Sequence, residues 1–174
     1  MSYCVIRTDL MSGTKQPADM VSLRFYTAAT EGAPEEVSAR AEVENGTIVE
    51  LKGLIPGERE VYKAVPATSA SPLDKCVVIA NPEMDYEHHN MNLSDYINPK
   101  GKNLRGYVLR RGNIFSITKE GFQDASAPEL NAELAVGTAG KLTNGKGFGQ
   151  CIEIEDTGRY TYYAVKIGNI EHKA

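Results

Sequence analysis

Two short apolar runs on either side of a basic turn limit most strongly what this chain can fold into. They lie within Leu104–Phe122, where Arg110–Asn113 separates a run that ends at Leu109 from one that begins at Ile114. This pattern predicts a β-hairpin with one face on a core and a charged tip in solvent. No long amphipathic helical pattern lies between such runs, so a parallel, doubly wound sheet is not expected.

Further runs of strand length occur along the chain, each next to residues that form turns. Asn45-Gly46, between Val43 and Ile48, predicts a second hairpin because Asn-Gly adopts the positive φ angles of a type I′ turn at the least cost. Asn144-Gly145 predicts the turn of another hairpin. The other predicted strands are Val21–Tyr26, Glu58–Val65, a central strand at Lys75–Ala80, and a final pair at Gln150–Ile154 and Tyr160–Ile167.

These runs, about eight in number, predict a mainly β chain, folded as an antiparallel barrel or sandwich with one or two short helices. One short helix is expected after Asn92, ending before Pro99. Residues 1–40 are rich in small, polar and turn-forming residues around one strand-like run, so we expect an extended N-terminal arm or a loosely attached first strand. The β-rich core domain is then expected to span residues 41–174.

Tyrosine supplies most of the aromatic residues, with nine Tyr, four Phe and no Trp. In the last predicted strand, alternation puts Tyr160 and Tyr162 on one face and Tyr163, Val165 and Ile167 on the other. The second face is the one expected to contact the core. Tyrosine on an exposed strand face, like arginine at a turn, is a residue type enriched at the centre of protein interfaces.

Charge and cysteine content indicate which partners and compartments to expect. The net charge of −4 produces no field that attracts nucleic acid, so a nucleic-acid partner is not favoured. No run of about 18 apolar residues is present, and the first residues lack the pattern of a secretion signal, so we expect neither a membrane span nor secretion. Cys4, Cys76 and Cys151 are odd in number and widely spaced, which favours free thiols and a cytoplasmic origin.

Three features suggest chemistry, but none has the spacing that the chemistry requires. Glu83–His89 combines carboxylates with two imidazoles, yet adjacent histidines on a strand point to opposite faces, which favours a solvated loop. Gly145–Gly149 lacks the Ser or Thr after lysine and the following helix of a phosphate loop. Cys76 and Cys151 lie in apolar runs and have no neighbouring base. We therefore predict no catalytic, cofactor-binding or metal-binding residues.

The basic residues are concentrated around the predicted hairpin, at Lys100, Lys102, Arg105, Arg110 and Arg111. One interpretation is a solvated tip that protects a strand edge by its charge. A second is a contact with an acidic patch on another subunit, and a third is contact of the basic residues, together with Tyr107, with a nucleic-acid backbone. The residues alone leave these three interpretations open.

Several segments together resemble a group of small virion proteins of tailed bacteriophages that infect Gram-positive hosts. These proteins are found as head-associated or capsid decoration (cement) proteins. The segments that carry the resemblance are Val21–Tyr26, Asn45–Leu51, Gly57–Val65, Leu73–Ala80, Gly106–Thr118 and Gly158–Ile167.

The resemblance implies a non-enzymatic structural protein at the capsid surface of a virion, assembled in the host cytoplasm. Such proteins reinforce the shell by bridging neighbouring major capsid subunits, and we expect a homo-oligomer, with a trimer as one form. The resemblance brings no functional residues with it, so the contact residues are predicted from this sequence alone. They are Arg7, Arg24, Tyr26, Lys100, Lys102, Arg105, Arg110, Arg111 and Asn113.

Two other functions remain open at this point. One is a different virion component, such as a tail-tube or head–tail connector subunit, which self-assembles through long hairpins. The other belongs to a different class: a small-ligand-binding β-barrel, or a metal-dependent enzyme that uses Glu83–His89.

Overall fold

A computed structural model describes residues 2–8, 19–27, 41–84 and 92–168. Within these ranges the chain is mainly β, with ten strands and five 3₁₀ turns. The strands are β1 (Met20–Phe25), β2 (Ile48–Leu54), β3 (Val61–Pro66), β4 (Cys76–Ile79), β5 (Leu104–Val108), β6 (Ile114–Ile117), β7 (Glu133–Val136), β8 (Leu142–Asn144), β9 (Gly149–Asp156) and β10 (Thr161–Ile167). No helix in the described ranges is long and apolar enough to cross a membrane.

The first five strands form a closed barrel in the order β1-β3-β2-β4-β5, with β5 pairing back onto β1. All pairs are antiparallel except β1 and β3, which run parallel. Val77, Ile79 and Leu104 belong to the cluster inside the barrel, as alternation along β4 and β5 requires. Closure leaves no strand of the barrel with an unpaired edge.

The other five strands form a second sheet in the order β6-β10-β9-β7-β8. A larger core cluster lies between this sheet and the barrel. It joins Val78 and Tyr107 of the barrel to Phe115 and Val165 of the second sheet. The chain is therefore mainly β, as predicted. Its ten described strands form a barrel and a second sheet that share a core, whereas one antiparallel barrel or sandwich of about eight strands was predicted.

The described N-terminal residues are part of this shared core. Ile6 forms an antiparallel bridge with Ile117, and Arg7 N donates to Ser116 O at 3.0 Å. Cys4, Val5 and Ile6 are all buried. β1 is paired on both edges within the barrel. The structure therefore does not confirm an extended arm, and the rest of residues 1–40, with the predicted boundary, lies outside the described residues.

The prediction that Leu104–Phe122 forms a hairpin is wrong. Its two runs do become strands, but β5 has both of its edges occupied by β1 and β4, so β6 pairs with β10. The turn between them is formed as expected: Asn113 N donates to Arg110 O at 3.0 Å, and Gly112 has a φ of +88°. That turn links the barrel to the second sheet instead of closing a hairpin.

The hairpin predicted at Asn45-Gly46 is also wrong, although the turn is present. Val43 bridges to Asn98, and β2 pairs with β3 and β4. Asn45 is 1% exposed, and its side-chain oxygen accepts from Asn81 N at 3.0 Å and from Asn98 Nδ2 at 2.9 Å. The asparagine thus satisfies buried donors of other segments, a role that no local turn pattern indicates.

Asn144-Gly145 does not close a hairpin either, because β8 pairs with β7, and β9 lies on the other side of β7. Other predictions are confirmed. Lys75–Ala80 contains β4, in which every residue is buried, and β9 and β10 form the final antiparallel pair. The short helix after Asn92 is a single 3₁₀ turn, Leu93–Asp95.

Candidate partner-binding surface

Five side chains near the tip of the β9–β10 hairpin form an ordered surface of arginine and tyrosine. The guanidinium carbon of Arg7 lies 5.3 Å from the ring centroid of Tyr162, and that of Arg159 lies 5.5 Å from the ring of Tyr160. The two tyrosine rings are 6.1 Å apart, at an angle of 57°. We call this set, with Glu155, the tyrosine–arginine surface.

The geometry of this surface follows from strand register. Tyr162 is opposite Glu155 in the β9–β10 pair, so the ring and the carboxylate lie on the same face. Arg7 Nη1 reaches Glu155 Oε2 at 3.2 Å while its guanidinium covers the Tyr162 ring. Arg159 Nη2 also donates to Asn92 Oδ1. Each cation is therefore held by a ring and by an oxygen acceptor.

Burial differs within the tyrosine–arginine surface. Tyr162 is only 6% exposed because other side chains, Arg7 among them, cover it. Glu155 and Arg159 are exposed, and Tyr160 is half-buried. The opposite face of β10 contacts the core as predicted, with Val165 and Ile167 buried and Tyr163 packed against Phe122. The tyrosine–arginine surface is thus the outward face of a strand whose other face is fixed by the core.

Beside this surface, half of β9 has an open edge. β9 pairs with β10 along its whole length, but β7 reaches only Gly149 and Gln150, with further bonds at Cys151. No strand in the described ranges pairs with the other edge of Ile152–Asp156. Ile154 is 43% exposed, and Glu153 and Glu155 are exposed.

The predicted basic concentration is divided between the two ends of β5. Lys100, Lys102 and Arg105 are exposed at its start, while Arg110 and Arg111 follow its end. A strand of that length separates the two groups by about 17 Å. Arg110 is paired with Asp19, at 2.7 Å from Nη2 to Oδ1. These basic residues therefore form two separate groups, and not the single contact tip that was predicted.

The remaining predicted contact residues have structural partners. Asn113 Oδ1 accepts from Arg110 N at 2.8 Å and so completes the link between the barrel and the second sheet. Arg24 donates to Asn103 Oδ1 at 2.6 Å and pairs with Glu58. Tyr26 is 2% exposed, so it offers almost no area to a partner. Lys63 lies over its ring at 5.1 Å.

A cleft of about 880 Å³ lies between the barrel and the second sheet. Phe25 and Pro66 line it from the barrel, and Val136 lines it from the second sheet. Glu44 and Lys141 also line it, and they pair with each other at 3.2 Å. Glu44 Oε2 accepts from Cys4 N at 2.8 Å as well. This carboxylate therefore connects the barrel side of the cleft to both the second sheet and the N-terminal segment.

The three thiols are poor nucleophiles at neutral pH. Cys4, Cys76 and Cys151 are free and buried. Burial raises the pKa of Cys4 and Cys151, and it raises the pKa of Cys76 to about 11. Because the thiolate is the reactive form, these groups stay protonated and inert. In the described residues no three His, Cys, Asp or Glu side chains are grouped so as to hold a metal, and most of Glu83–His89 lies outside them.

Sequence reasoning identified some of the tyrosine–arginine surface and missed the rest. Arg7 was predicted as a contact residue, and Tyr160 and Tyr162 were predicted to share a face. Glu155 and Arg159 were not predicted. The spacing of the two tyrosines was the available signal, but no pattern indicates that Arg7, far away in sequence, lies over Tyr162.

No family model matches the chain, and no curated protein or solved structure matches it.

Proposed function

We propose that this chain is a non-enzymatic structural protein of a phage virion, which stabilises the capsid by bridging neighbouring major capsid subunits. The tyrosine–arginine surface is the observation that carries the proposal. Tyrosine and arginine are enriched at the centre of protein interfaces, and rings that are already ordered lose little conformational entropy on binding. The resemblance of the strand segments to capsid decoration proteins supports the choice of the capsid as partner.

The energetics of such a role suit a surface of this size. A protein that binds only the assembled shell stabilises it by mass action, and many copies of a modest interface add up. A partner in the shell would contact Tyr160, Arg159 and Glu155, which are the more exposed members. Arg7 would act mainly by holding the Tyr162 ring and the Glu155 carboxylate in place.

Attachment to purified expanded heads that lack the protein tests this proposal. We expect Arg159→Glu and Tyr160→Ala each to weaken attachment about tenfold, as truncation of an interface centre does. Arg59→Glu is the matched control, because Arg59 is an exposed arginine on the barrel side. Unchanged attachment of both variants would contradict the proposal. Deletion of residues 1–20 is a poor test, because it removes the buried Cys4–Ile6.

The predicted basic positions need their own variant. Arg110→Glu with Arg111→Glu tests whether the link between barrel and second sheet is a second contact. If only this variant loses attachment, the contact surface is the basic link and the tyrosine–arginine surface is structural. Circular dichroism of each variant distinguishes loss of contact from loss of folding.

A second candidate is a tail-tube or head–tail connector subunit. The observation that favours it is the β9–β10 hairpin, whose outer half extends past the neighbouring strand β7. Tube and connector subunits assemble among themselves, so electron microscopy of the purified protein distinguishes the two candidates. Rings or tubes formed by the protein alone would favour the second candidate over decoration.

A further inference from the structure

The open edge of β9 has the properties of a site for strand addition. Ile152–Asp156 is extended, paired on one side with β10 and unpaired by any described strand on the other. Five extended residues present about 17 Å of backbone donors and acceptors. Unpaired strand edges are where an extended segment of another chain adds by main-chain hydrogen bonds.

The paired part of β9 ends in a defined way. Asn131 N donates to Cys151 O at 2.8 Å, and Gln150 Nε2 donates to Asn131 O at 3.0 Å. Asn131 lies in a turn just before β7 and has a φ of +67°. A bulge follows, since Ala164 is opposite Glu153 and Val165 is opposite Cys151, which leaves Ile152 without an opposite residue on β10. The open edge therefore begins where β7 and its lead-in end.

The side chains on this edge indicate the chemistry of the strand that fits. Glu153 and Glu155 lie on the face of Ala164 and Tyr162, and Ile154 lies on the face of Tyr163. An added strand places alternate residues beside the two carboxylates and the others beside Ile154. Opposite charges in neighbouring strands attract and like charges repel. Two β9 edges of this protein would bring acid against acid, which disfavours self-pairing at this edge.

We infer that the open edge of β9 binds an extended segment of a partner protein, in which basic residues alternate with apolar ones. The inference rests on the proposed role as a protein-binding structural component, and it names the chemistry of the partner. Arg7 pairs with Glu155 from one face, whereas Glu153 is exposed and is the carboxylate on which an incoming lysine or arginine depends most.

Binding of short synthetic peptides to the full-length protein tests this inference without capsids. The probe is an acetylated and amidated heptapeptide that alternates lysine and valine, titrated while backbone amide signals are followed by NMR. We expect the largest shifts at Ile152–Asp156. We expect Glu153→Lys to weaken binding about fivefold, since one attraction is replaced by one repulsion.

Matched controls separate strand addition from plain charge attraction. Glu60→Lys makes the same change at an exposed position of the barrel and is expected to leave binding unchanged. A peptide that alternates glutamate and valine is expected not to bind, and neither is the lysine–valine peptide with alternate amides N-methylated. Equal binding of the N-methylated peptide, or equal weakening by Glu60→Lys, would overturn the inference.

The outcomes also distinguish this inference from the proposed function. Peptide binding at β9 without attachment to heads would support the open edge and contradict the capsid role. Attachment to heads that Arg159→Glu abolishes, with no peptide binding at β9, would overturn the open edge alone. Dimerisation of the wild-type protein, seen as NMR shifts at Ile152–Asp156 that grow with protein concentration, would identify a second copy as the occupant and would also overturn the inference.

Discussion

The closed barrel and the second sheet are built from strands of similar length, but they differ in how many of their strand edges are hydrogen-bonded. In the barrel, every strand is hydrogen-bonded on both sides. Among the described residues of the second sheet, β6 is covered in part by the N-terminal segment at Ile6, the outer edge of β8 has only a bridge between Leu142 and Phe122, and half of β9 is open on one side. Closure therefore pairs every strand edge of the barrel, whereas the second sheet keeps backbone donors and acceptors of β9 that no described strand pairs.

The first prediction tests this contrast with two apolar truncations. Leu23→Ala inside the barrel removes a side chain that is 0% exposed, and we expect it to lower the free energy of unfolding by about 3 kcal/mol. Ile154→Ala on the open edge changes a 43% exposed side chain and is expected to cost less than about 0.5 kcal/mol. Urea denaturation measures both free energies of unfolding. Equal losses would show that the open edge is packed as tightly as the inside of the barrel.

The second prediction concerns the connection between the two regions. Glu44→Ala removes the acceptor for Cys4 N and for Lys141 Nζ, and we expect a loss of about 2 kcal/mol in unfolding free energy. Glu44→Gln retains an acceptor for Cys4 N and is expected to lose about half as much. A double-mutant cycle with Lys141→Ala isolates the ion pair. A cycle with no coupling would mean that this pair does not connect barrel and sheet.

The third prediction compares local opening through the buried thiols. Two variants each retain one cysteine, Cys76 in β4 or Cys151 in β9, with the others changed to alanine. We expect a thiol reagent to label Cys151 at least about tenfold faster under native conditions, because β4 is paired on both edges whereas part of one edge of β9 is paired by no described strand. Mass spectrometry measures the labelling rates. Faster labelling of Cys76 would reverse the comparison.

The fourth and smallest effect concerns a charge on the barrel. The Ser71 hydroxyl donates to Glu50 Oε2 at 2.6 Å, and this bond, with Lys52 as a further cause, holds the pKa of Glu50 below its ordinary value of 4.5. A carboxyl group whose pKa is lowered in the folded state stabilises the protein at any pH above its ordinary pKa. This stabilisation is lost as the pH falls through the folded-state pKa. Ser71→Ala is therefore expected to cost about 1 kcal/mol at pH 7 and progressively less in acid.

Thermal denaturation between pH 7 and pH 3 measures this difference. Ser69→Ala, an exposed serine in the same loop, is the control and is expected to behave like the wild type throughout. A Ser71→Ala deficit that stays constant in acid would mean that the hydroxyl acts without the Glu50 carboxylate.

Local features of the fold could be predicted from sequence where a short segment contains the whole cause. The apolar run at Lys75–Ala80 became the buried strand β4, and the alternation in Tyr160–Ile167 assigned the core face of β10 correctly. Asn45-Gly46 formed a turn, with a Gly46 φ of +81°. In each case the cause is a side-chain period or a φ preference of a few neighbouring residues.

Apart from the final pair of β9 and β10, the pairing of strands could not be predicted in the same way. Three turns were expected to close hairpins, and none does, because a turn sets the direction of the chain only over a few residues. Which strands then pair depends on the faces that must be buried together. β1 and β3, for example, are neighbours in the barrel although β2 lies between them in sequence. The tyrosine–arginine surface could not be predicted for the same reason, since Arg7 and Tyr162 meet only because the N-terminal segment pairs with β6.

The sequence by itself determined that the chain is mainly β and where most of its strands and turns lie, although not β7 and β8, because these features depend on the residues within each segment. Only the tertiary structure decided that five strands close into a barrel, that the basic turn at Arg110–Asn113 links two sheets, and that no described strand pairs with one edge of Ile152–Asp156. The physical reason is that each strand's hydrogen-bonding partners, and the surface that buries its apolar face, depend on all the other strands of the chain.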